Sequence, residues 1–483
     1  MSFFKILSVC FFSMVSLFAS AQSCNCESNF EWVKKTFEQN DAGFQYVIDQ
    51  KGRPAYEAHN ATTLTKIKTV KSETECTELL YSWMRFFRKG HIGIERLKSE
   101  SAVGVAGPDS LVMANHERLK LTNKKFEQQL AAASEGTPEG IWESNPYKVG
   151  IIKTGDHYSG YIIEAPGTPW KKNQLKLKIY PAGDGYKADF WMRNFSPMTG
   201  QPVKVIGKNY LGLANILHLK RVTPAYQDEQ EIRDYLEFIS AEEPYFKLLS
   251  GGTAYLRIPS FDYNNKKKID SVINANRKAI LSTRDLIIDV RNNGGGADAS
   301  FSQILPFLYT NPVRTVGVQM LASELNTQAI LAYARDTNFA KETRDWLMTR
   351  YEKMSKSPGE FVQVADSIVT IKKRDTVFPY PANVAIVINE ANASTTEQFL
   401  LAAKQSRKVK LYGTTTFGAL DISNMNGITS PCGDFKLWYC MSKSYRIPDM
   451  TIDSKGLQPD YYIDKTIPEQ DWIKYVLDMN KSR

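Results

Sequence analysis

"VAIVINEANASTTEQFLLAA", Val384 to Ala403, holds the change of pattern on which the fold turns. Its first part, Val384 to Ile388, is an apolar, β-branched run with the length and composition of a buried strand. A short polar break follows, and Phe399 and Leu400 then begin a helical pattern. A strand running into a helix in this way is a unit of an α/β layer. At the junction stands Ser394, with Glu397 three residues on. Ser-x-x-Glu is a capping box, in which the serine caps the helix that begins at Thr395. A helix start after a buried strand is also where free backbone N–H groups and the positive end of the helix dipole gather, and together they can stabilise an oxyanion. Ser394 is therefore either a cap or a nucleophile. The surrounding residues are not Gly-x-Ser-x-Gly, so a hydrolase nucleophile elbow is not indicated.

Upstream, "DLIIDVRNNGGGADAS" (Asp285 to Ser300) is a second strand, ending in three consecutive glycines. Glycines there permit positive φ and close approach of a ligand backbone. Such a loop turns a peptide N–H toward an oxyanion, or holds phosphate. The phosphate reading lacks a following Walker lysine and the Gly-x-Gly-x-x-Gly spacing. "AYLRI" and the helical "KKKIDSVINANRKAI" precede this strand, so elements alternate from about Gln227 onward, as in an α/β layer with buried central strands. A helix-rich insertion, about 324–362, interrupts it.

The N-terminal half reads differently. Phe30, Val33 and Phe37 recur at helical spacing, as do Leu79, Leu80, Trp83 and Phe87 before Gly90. Residues 22–136 are expected to form a helical domain, with "LTNKKFEQQLAAA" as its last helix and "SEGTPEG" as its boundary. Residues 137–222 hold short strand-like runs such as "YKVGIIK", "YSGYII" and "LKLKIY", the pattern of a small antiparallel barrel or sandwich. It serves either recognition or structure. A chain of 483 residues exceeds one ordinary core, which fits two or three domains.

Residues 1–21 have the order of a secretory signal peptide: Lys5, an apolar run from Ile6 to Phe18, then "ASA". The run is too short to span a membrane. A lipoprotein alternative would use Cys24, but "AQS" before it lacks the aliphatic position expected there. The expectation is an exported chain, periplasmic or extracellular, with no membrane association indicated once the signal is removed. Export permits disulfides. Cys432 and Cys440 flank "GDFKLWY", which reads as a hairpin, and are expected to pair; Cys76 has Cys24 or Cys26 as partner. A Cys-x-Cys metal site is the rival reading, without another Cys/His cluster to complete a tetrahedral set, so no metal is expected. The net charge of +9 is spread along the chain, and its densest run, "NNKKKID", reads as a solvated helix face rather than a nucleic-acid surface.

In their order, "DVRNNGGG" and "NEANASTTE" resemble the C-terminal-processing (tail-specific) serine peptidases, whose catalytic domain has the crotonase/ClpP-like α/β fold. "TAYLRIPSF" (Thr253 to Phe261), "LYGTTTFG" (Leu411 to Gly418) and "SKGLQPD" (Ser454 to Asp460) are similar to further segments of that family. The resemblance covers the C-terminal half and a short patch at His91. It implies that Ser394 is the nucleophile. One branch of the family pairs the serine with a lysine in a Gly-Lys-Gly turn after Thr-Phe; here "TFGALD" puts Ala419 at that position. The other branch, similar to the tricorn protease core, uses a histidine from the N-terminal helical region and an acid three residues before the closing glycine. That implies His91, in "RKGHIGI", as base and Asp453, three before Gly456, as the acid that orients it. The family usually has glutamate at the acid position, and the small hydroxyl residue that can precede the histidine is Gly90 here. The oxyanion donors expected are the N–H of Thr395 and one from Gly295 or Gly296; Glu397 is expected to be structural, as the reciprocal half of the capping box, and Arg291 and Asn292 to fix the loop rather than react. His59, His116, His157 and His218 have no such motif around them.

The organisation expected is thus a crotonase/ClpP-like catalytic domain at 223–483, behind an N-terminal helical domain and a small all-β module, with no PDZ-like pattern where the β module lies. The expected activity is a cofactor-free serine peptidase acting on peptides or unfolded protein. The rivals are a non-catalytic peptide- or ligand-binding protein on the same scaffold, and ester or acyl-transfer chemistry at the same serine. The oligomeric state is left open.

Overall fold

Buried β-branched strands build the centre of the C-terminal half. The computed structural model describes residues 25–97, 116–214, 216–249 and 251–481; the expected signal peptide lies outside them. Six strands pair in the order Tyr245–Leu248, Ala254–Arg257, Asp285–Asp289, Asn383–Ile388, Val409–Gly413 and Tyr461–Tyr462. Only the first pair is antiparallel. Successive side chains point to opposite faces. Leu286, Ile288, Ile386 and Leu411 enter one core with Ile269 and Ile273 of the helix Lys266–Ser282 and Phe399 of the helix Thr395–Ala403. Ile287, Ala385, Val387 and Tyr412 enter the other, with Trp472 and Val476 of the helix Trp472–Lys481. Burial on both faces explains why these strands are continuous apolar runs. Each fully buried Ile, Leu or Val contributes about 1.5–3 kcal/mol. The stiff central strands therefore give the loops at their carboxyl ends a fixed base.

Between Gly140 and Thr223 eight antiparallel strands close into a barrel around Trp142, Val149, Ile162, Leu177, Phe190 and Leu219. Of the two expected forms, barrel and sandwich, this is the barrel. The helix Asn123–Ala131 packs Phe126 and Leu130 against barrel residues Ile152, Tyr161 and Leu175. A Cβ on Gly150 would sit 2.6 Å from the Phe126 ring, so the glycine lets the helix lie close. The helix thus belongs with the barrel, although the sequence pattern grouped it with the helices before it.

The described residues form two compact units, one made of those up to Leu97 with Met320–Val362 and Asn424–Ser442, the other of the remaining described residues. The first unit carries the helices Cys26–Asn40, Phe44–Lys51, Arg53–Ile67 and Glu73–Met84, packed through Phe30, Phe37, Tyr56, Trp83 and Phe87. The expected insertion is helical, with helices Glu324–Arg335 and Lys341–Ser355, and it groups with these N-terminal helices. Side-chain hydrogen bonds fasten it: Asn326 Nδ2 to Asn40 O at 2.9 Å, Ser323 Oγ to Asn40 Oδ1 at 2.7 Å, and Tyr439 OH to Asn326 Oδ1 at 3.0 Å. Such junctions leave no hydrophobic period to read.

A disulfide joins Cys26 to Cys76, one of the two partners considered for Cys76 and a bond that removes Cys26 from any Cys-x-Cys metal site. The expected bond between Cys432 and Cys440 is not made. Cys432 is in a disulfide, but Cys440 is a buried thiol that takes no part in it. The reason is direction: Cys440 lies within the strand Phe435–Ser444 and turns its sulfur to the carbonyl of His91, at 3.3 Å. Among the described residues no helix is long and apolar enough to cross a membrane.

Candidate active site

Ser394 precedes the helix Thr395–Ala403 with φ 57° and ψ −124°. A left-handed conformation at a residue other than glycine costs on the order of 1–3 kcal/mol and persists only where neighbours over-determine it. Here the Ser394 N–H donates to Ala419 O at 2.9 Å and to Glu397 Oε2 at 3.2 Å. Glu397 is fully buried, and its carboxylate also accepts from Thr416 Oγ1 (2.5 Å), Gly418 N (2.8 Å) and Ala419 N (2.9 Å). Burial pushes this carboxyl above the usual carboxylate range, and the hydrogen bonds pull it back. The capping-box acid expected to be structural thus ties the serine to the segment Thr416–Ala419.

The glycine loop lies against the serine. Gly295 has φ 112°, and a Cβ there would come within 2.8 Å of Ser394 Cβ and 3.0 Å of Thr395 N. Gly296 has φ 144° and no room for a Cβ beside the Phe261 backbone, 2.2 Å away. Both positions require glycine. Asn293, fully buried, knits the loop: its Oδ1 accepts from Gly295 N (3.0 Å), Phe261 N (3.2 Å) and Thr396 Oγ1 (2.8 Å). Gly295 N–H is therefore spent, which corrects the expectation that it was one of two alternatives for an oxyanion donor. The N–H groups of Gly296 and Thr395 make no hydrogen bond among the described residues, while Thr395 Oγ1 donates to Gly296 O at 2.8 Å.

More asparagines lock the two strand-end loops together. Asn392 Nδ2 donates to Asn293 O at 3.1 Å, and Asn389 Nδ2 to Asn292 Oδ1 at 2.7 Å. Arg291 forks onto Asp289, with Nη2 2.7 Å from Oδ2, and donates from Nη1 to Glu469 O at 3.0 Å. Burial alone would raise the Asp289 carboxyl, but Arg291 and Arg257 outweigh it and hold it below the usual range. Arg291 and Asn292 do fix the loop, as expected.

Asp453 is half-buried. Its Oδ1 accepts from Leu420 N and Asp421 N, both at 2.6 Å, and its Oδ2 from Ile422 N at 3.2 Å. Burial and the neighbouring Asp421 raise its carboxyl, against those three N–H groups. Asp421 in turn accepts from Arg446 Nε at 2.8 Å. Asp453 so pins the segment after Ala419, whose carbonyl holds the Ser394 N–H.

His91 lies in the other unit, also left-handed, with φ 54°. Its carbonyl accepts from Arg88 Nη2 at 3.0 Å and from Cys440 Sγ at 3.3 Å. Arg88 forks onto Asp41, with Nη1 2.7 Å from Oδ1, and both side chains are buried.

Within one unit the structure thus brings Ser394, Gly295, Gly296 and Thr395 together and ties Asp453 to them through Ala419–Ile422, while His91 has its own setting in the other. Sequence reasoning missed Asn293, Asn392, Asp41 and Arg88. Asn293 and Asn392 stand inside "DVRNNGGG" and "NEANASTTE", and Arg88 three residues before the histidine in "RKGHIGI"; Asp41 had no such local signal.

Residues 252–463 match the model of peptidase family S41. The structure of mature CPAF is similar, at 13% identity and a TM-score of 0.51, covering 95% of this chain and 96% of that chain. The structure of mature CPAF complexed with lactacystin gives the same identity and TM-score, covering 95% and 97%. At that identity the likeness is one of fold. No curated protein matches the chain.

Proposed function

We propose that this chain, whose residues 252–463 belong to peptidase family S41, is an exported serine peptidase that works through a covalent acyl-enzyme on Ser394. The observation that carries the reading is the strained Ser394, braced by Glu397 and packed on Gly295, beside two N–H groups, those of Gly296 and Thr395, that make no hydrogen bond among the described residues. A serine that only capped a helix would need neither the left-handed backbone nor the glycine loop against it.

The scaffold is read as a crotonase/ClpP-like α/β layer. Ser394 Oγ attacks the peptide carbonyl carbon while His91 takes its proton, and the N–H groups of Gly296 and Thr395 receive the oxyanion. His91 then gives the proton to the departing amine, and water hydrolyses the ester by the same route in reverse. Asp453 orients the imidazole. A positioned base contributes about 10²–10⁴-fold, and each oxyanion donor about 10²–10³-fold. The substrate is a peptide or unfolded protein, and no cofactor is required. The Cys26–Cys76 disulfide supports export to an oxidising compartment, periplasmic or extracellular.

The three backbone N–H groups on Asp453 favour a second reading, in which that acid only pins its loop and the scaffold binds peptide without cleaving it. One experiment separates the two. Full-length secreted protein is treated with a fluorophosphonate probe and the labelled peptide is mapped, with His91→Ala alongside. The peptidase reading predicts labelling at Ser394 that collapses in His91→Ala. Unlabelled Ser394 in folded protein would establish the binding reading.

A further inference from the structure

We infer that the buried Asp41–Arg88 pair, together with Cys440, is a positioning device for His91. The inference rests on the reading of His91 as the base. His91 sits between Gly90 and Gly93, and glycines leave a turn free to move. The left-handed His91 backbone is nevertheless defined, because its carbonyl is held by two donors, Arg88 Nη2 at 3.0 Å and Cys440 Sγ at 3.3 Å. Fixing that carbonyl fixes the peptide plane that follows His91, and so constrains the Cα–Cβ bond from which the imidazole is carried.

The donors are themselves held. Both Arg88 nitrogens fork onto the Asp41 carboxylate, at 2.7 and 2.5 Å, and the guanidinium lies 5.5 Å from the Phe37 ring centroid. Asp41 Oδ1 also accepts from Gly43 N at 2.9 Å, and Oδ2 from Cys440 N at 3.0 Å. One carboxylate thus sets both the arginine fork and the backbone of the cysteine strand. A buried ion pair is a poor way to gain stability, since apolar residues of the same volume do as well or better. What it supplies is geometry: a planar fork has one orientation, which a lysine ammonium does not share. Cys440, whose side chain is buried, completes the clamp as a weak second donor to the His91 carbonyl.

The test uses the full secreted chain, with labelled casein as unfolded substrate and the fluorophosphonate probe as a second readout. Arg88→Lys should lower kcat about 10²-fold, the loss that a small misplacement of a reacting group produces. KM and the acid limb of the pH profile should stay in place, because position changes and the imidazole's surroundings do not. Cys440→Ser, which keeps a donor, should retain activity, and Cys440→Ala should lose several-fold. In a His91→Ala background, Arg88→Lys should leave the residual labelling rate of Ser394 unchanged, since the clamp acts only through the missing imidazole. An additive loss in that background, or an unchanged kcat in folded Arg88→Lys, overturns the inference while His91 remains the base. Full activity in His91→Ala overturns the base and the clamp together. If Arg88→Lys does not fold, the Cys440 pair decides: equal activity of the Ser and Ala variants sinks the clamp.

Discussion

Two turns of this chain, at Ser394 and at His91, place a residue other than glycine at positive φ and are braced in different ways. At Ser394 part of the brace is local: Glu397, three residues on, accepts the serine N–H at 3.2 Å, beside the 2.9 Å bond of that N–H to Ala419 O, and also accepts the N–H groups of Gly418 and Ala419. At His91 it comes from distant parts of the chain, since Asp41 lies 47 positions from Arg88 and Cys440 lies 349 from His91. A local brace forms as soon as its helix forms. A distant one exists only when a whole unit is folded, so it is exposed to anything that loosens that unit.

The sharpest way to break this contrast is through the disulfide. Cys26 and Cys76 close a loop with a sequence separation of 50 across the helices that lead to His91. Removing a link of that size costs about 4 kcal/mol by the chain-entropy argument. Cys26→Ser should therefore raise hydrogen exchange through Cys26–Asn40 and Glu73–Met84 and leave the strand Asn383–Ile388 protected. Equal loss of protection in both places would show that the turns do not differ in this way.

The local brace has its own probe. Glu397→Gln puts an amide donor where the oxygen atoms accept four hydrogen bonds, leaving at least one N–H unsatisfied at a cost of about 1–3 kcal/mol. Proteolysis or exchange should increase across Thr416–Ala419, with the region around His91 unchanged. A variant as stable as the parent would show that Gly295 and the asparagine network hold the serine unaided.

The smallest effect is expected in the barrel, which serves as a control for both turns. Lys176 is buried, its ammonium 2.6 Å from Trp191 O and over the rings of Tyr147 and Trp170, and burial lowers its pKa to about 7. The unfolded chain, with lysine near 10.4, binds the proton more tightly, so barrel stability rises with pH above the folded value. From pH 7 to 8 the gain is about 1 kcal/mol. Urea unfolding should show that rise, and Lys176→Met should remove it without altering the labelling of Ser394. A pH dependence that survives in Lys176→Met would rule out this lysine as its source.

Much of the molecule was legible in one dimension because its cause is local. The buried parallel strands announce themselves as unbroken β-branched runs, since both faces are covered. The strand-to-helix junction at Ser394 and the glycines at 294–296 mark where backbone must bend or approach closely, and the capping-box acid is found where its spacing puts it. Cysteine pairing was half legible, as Cys26–Cys76 exists and Cys432–Cys440 does not. Proximity along a hairpin cannot tell which way a sulfur points.

What only the tertiary structure decided depends on side chains that meet from far apart. The grouping of Met320–Val362 with the N-terminal helices rests on asparagine and tyrosine hydrogen bonds that no hydrophobic period reveals. Gly295 is withdrawn as an oxyanion donor by Asn293 Oδ1, a bond that depends on how the loop folds back. The clamp on His91 joins three segments whose residues look ordinary where they stand in the chain. Periodicity and spacing record what each residue does to its own backbone. Which distant donor meets which acceptor is set by packing, and that information exists only once the chain has folded.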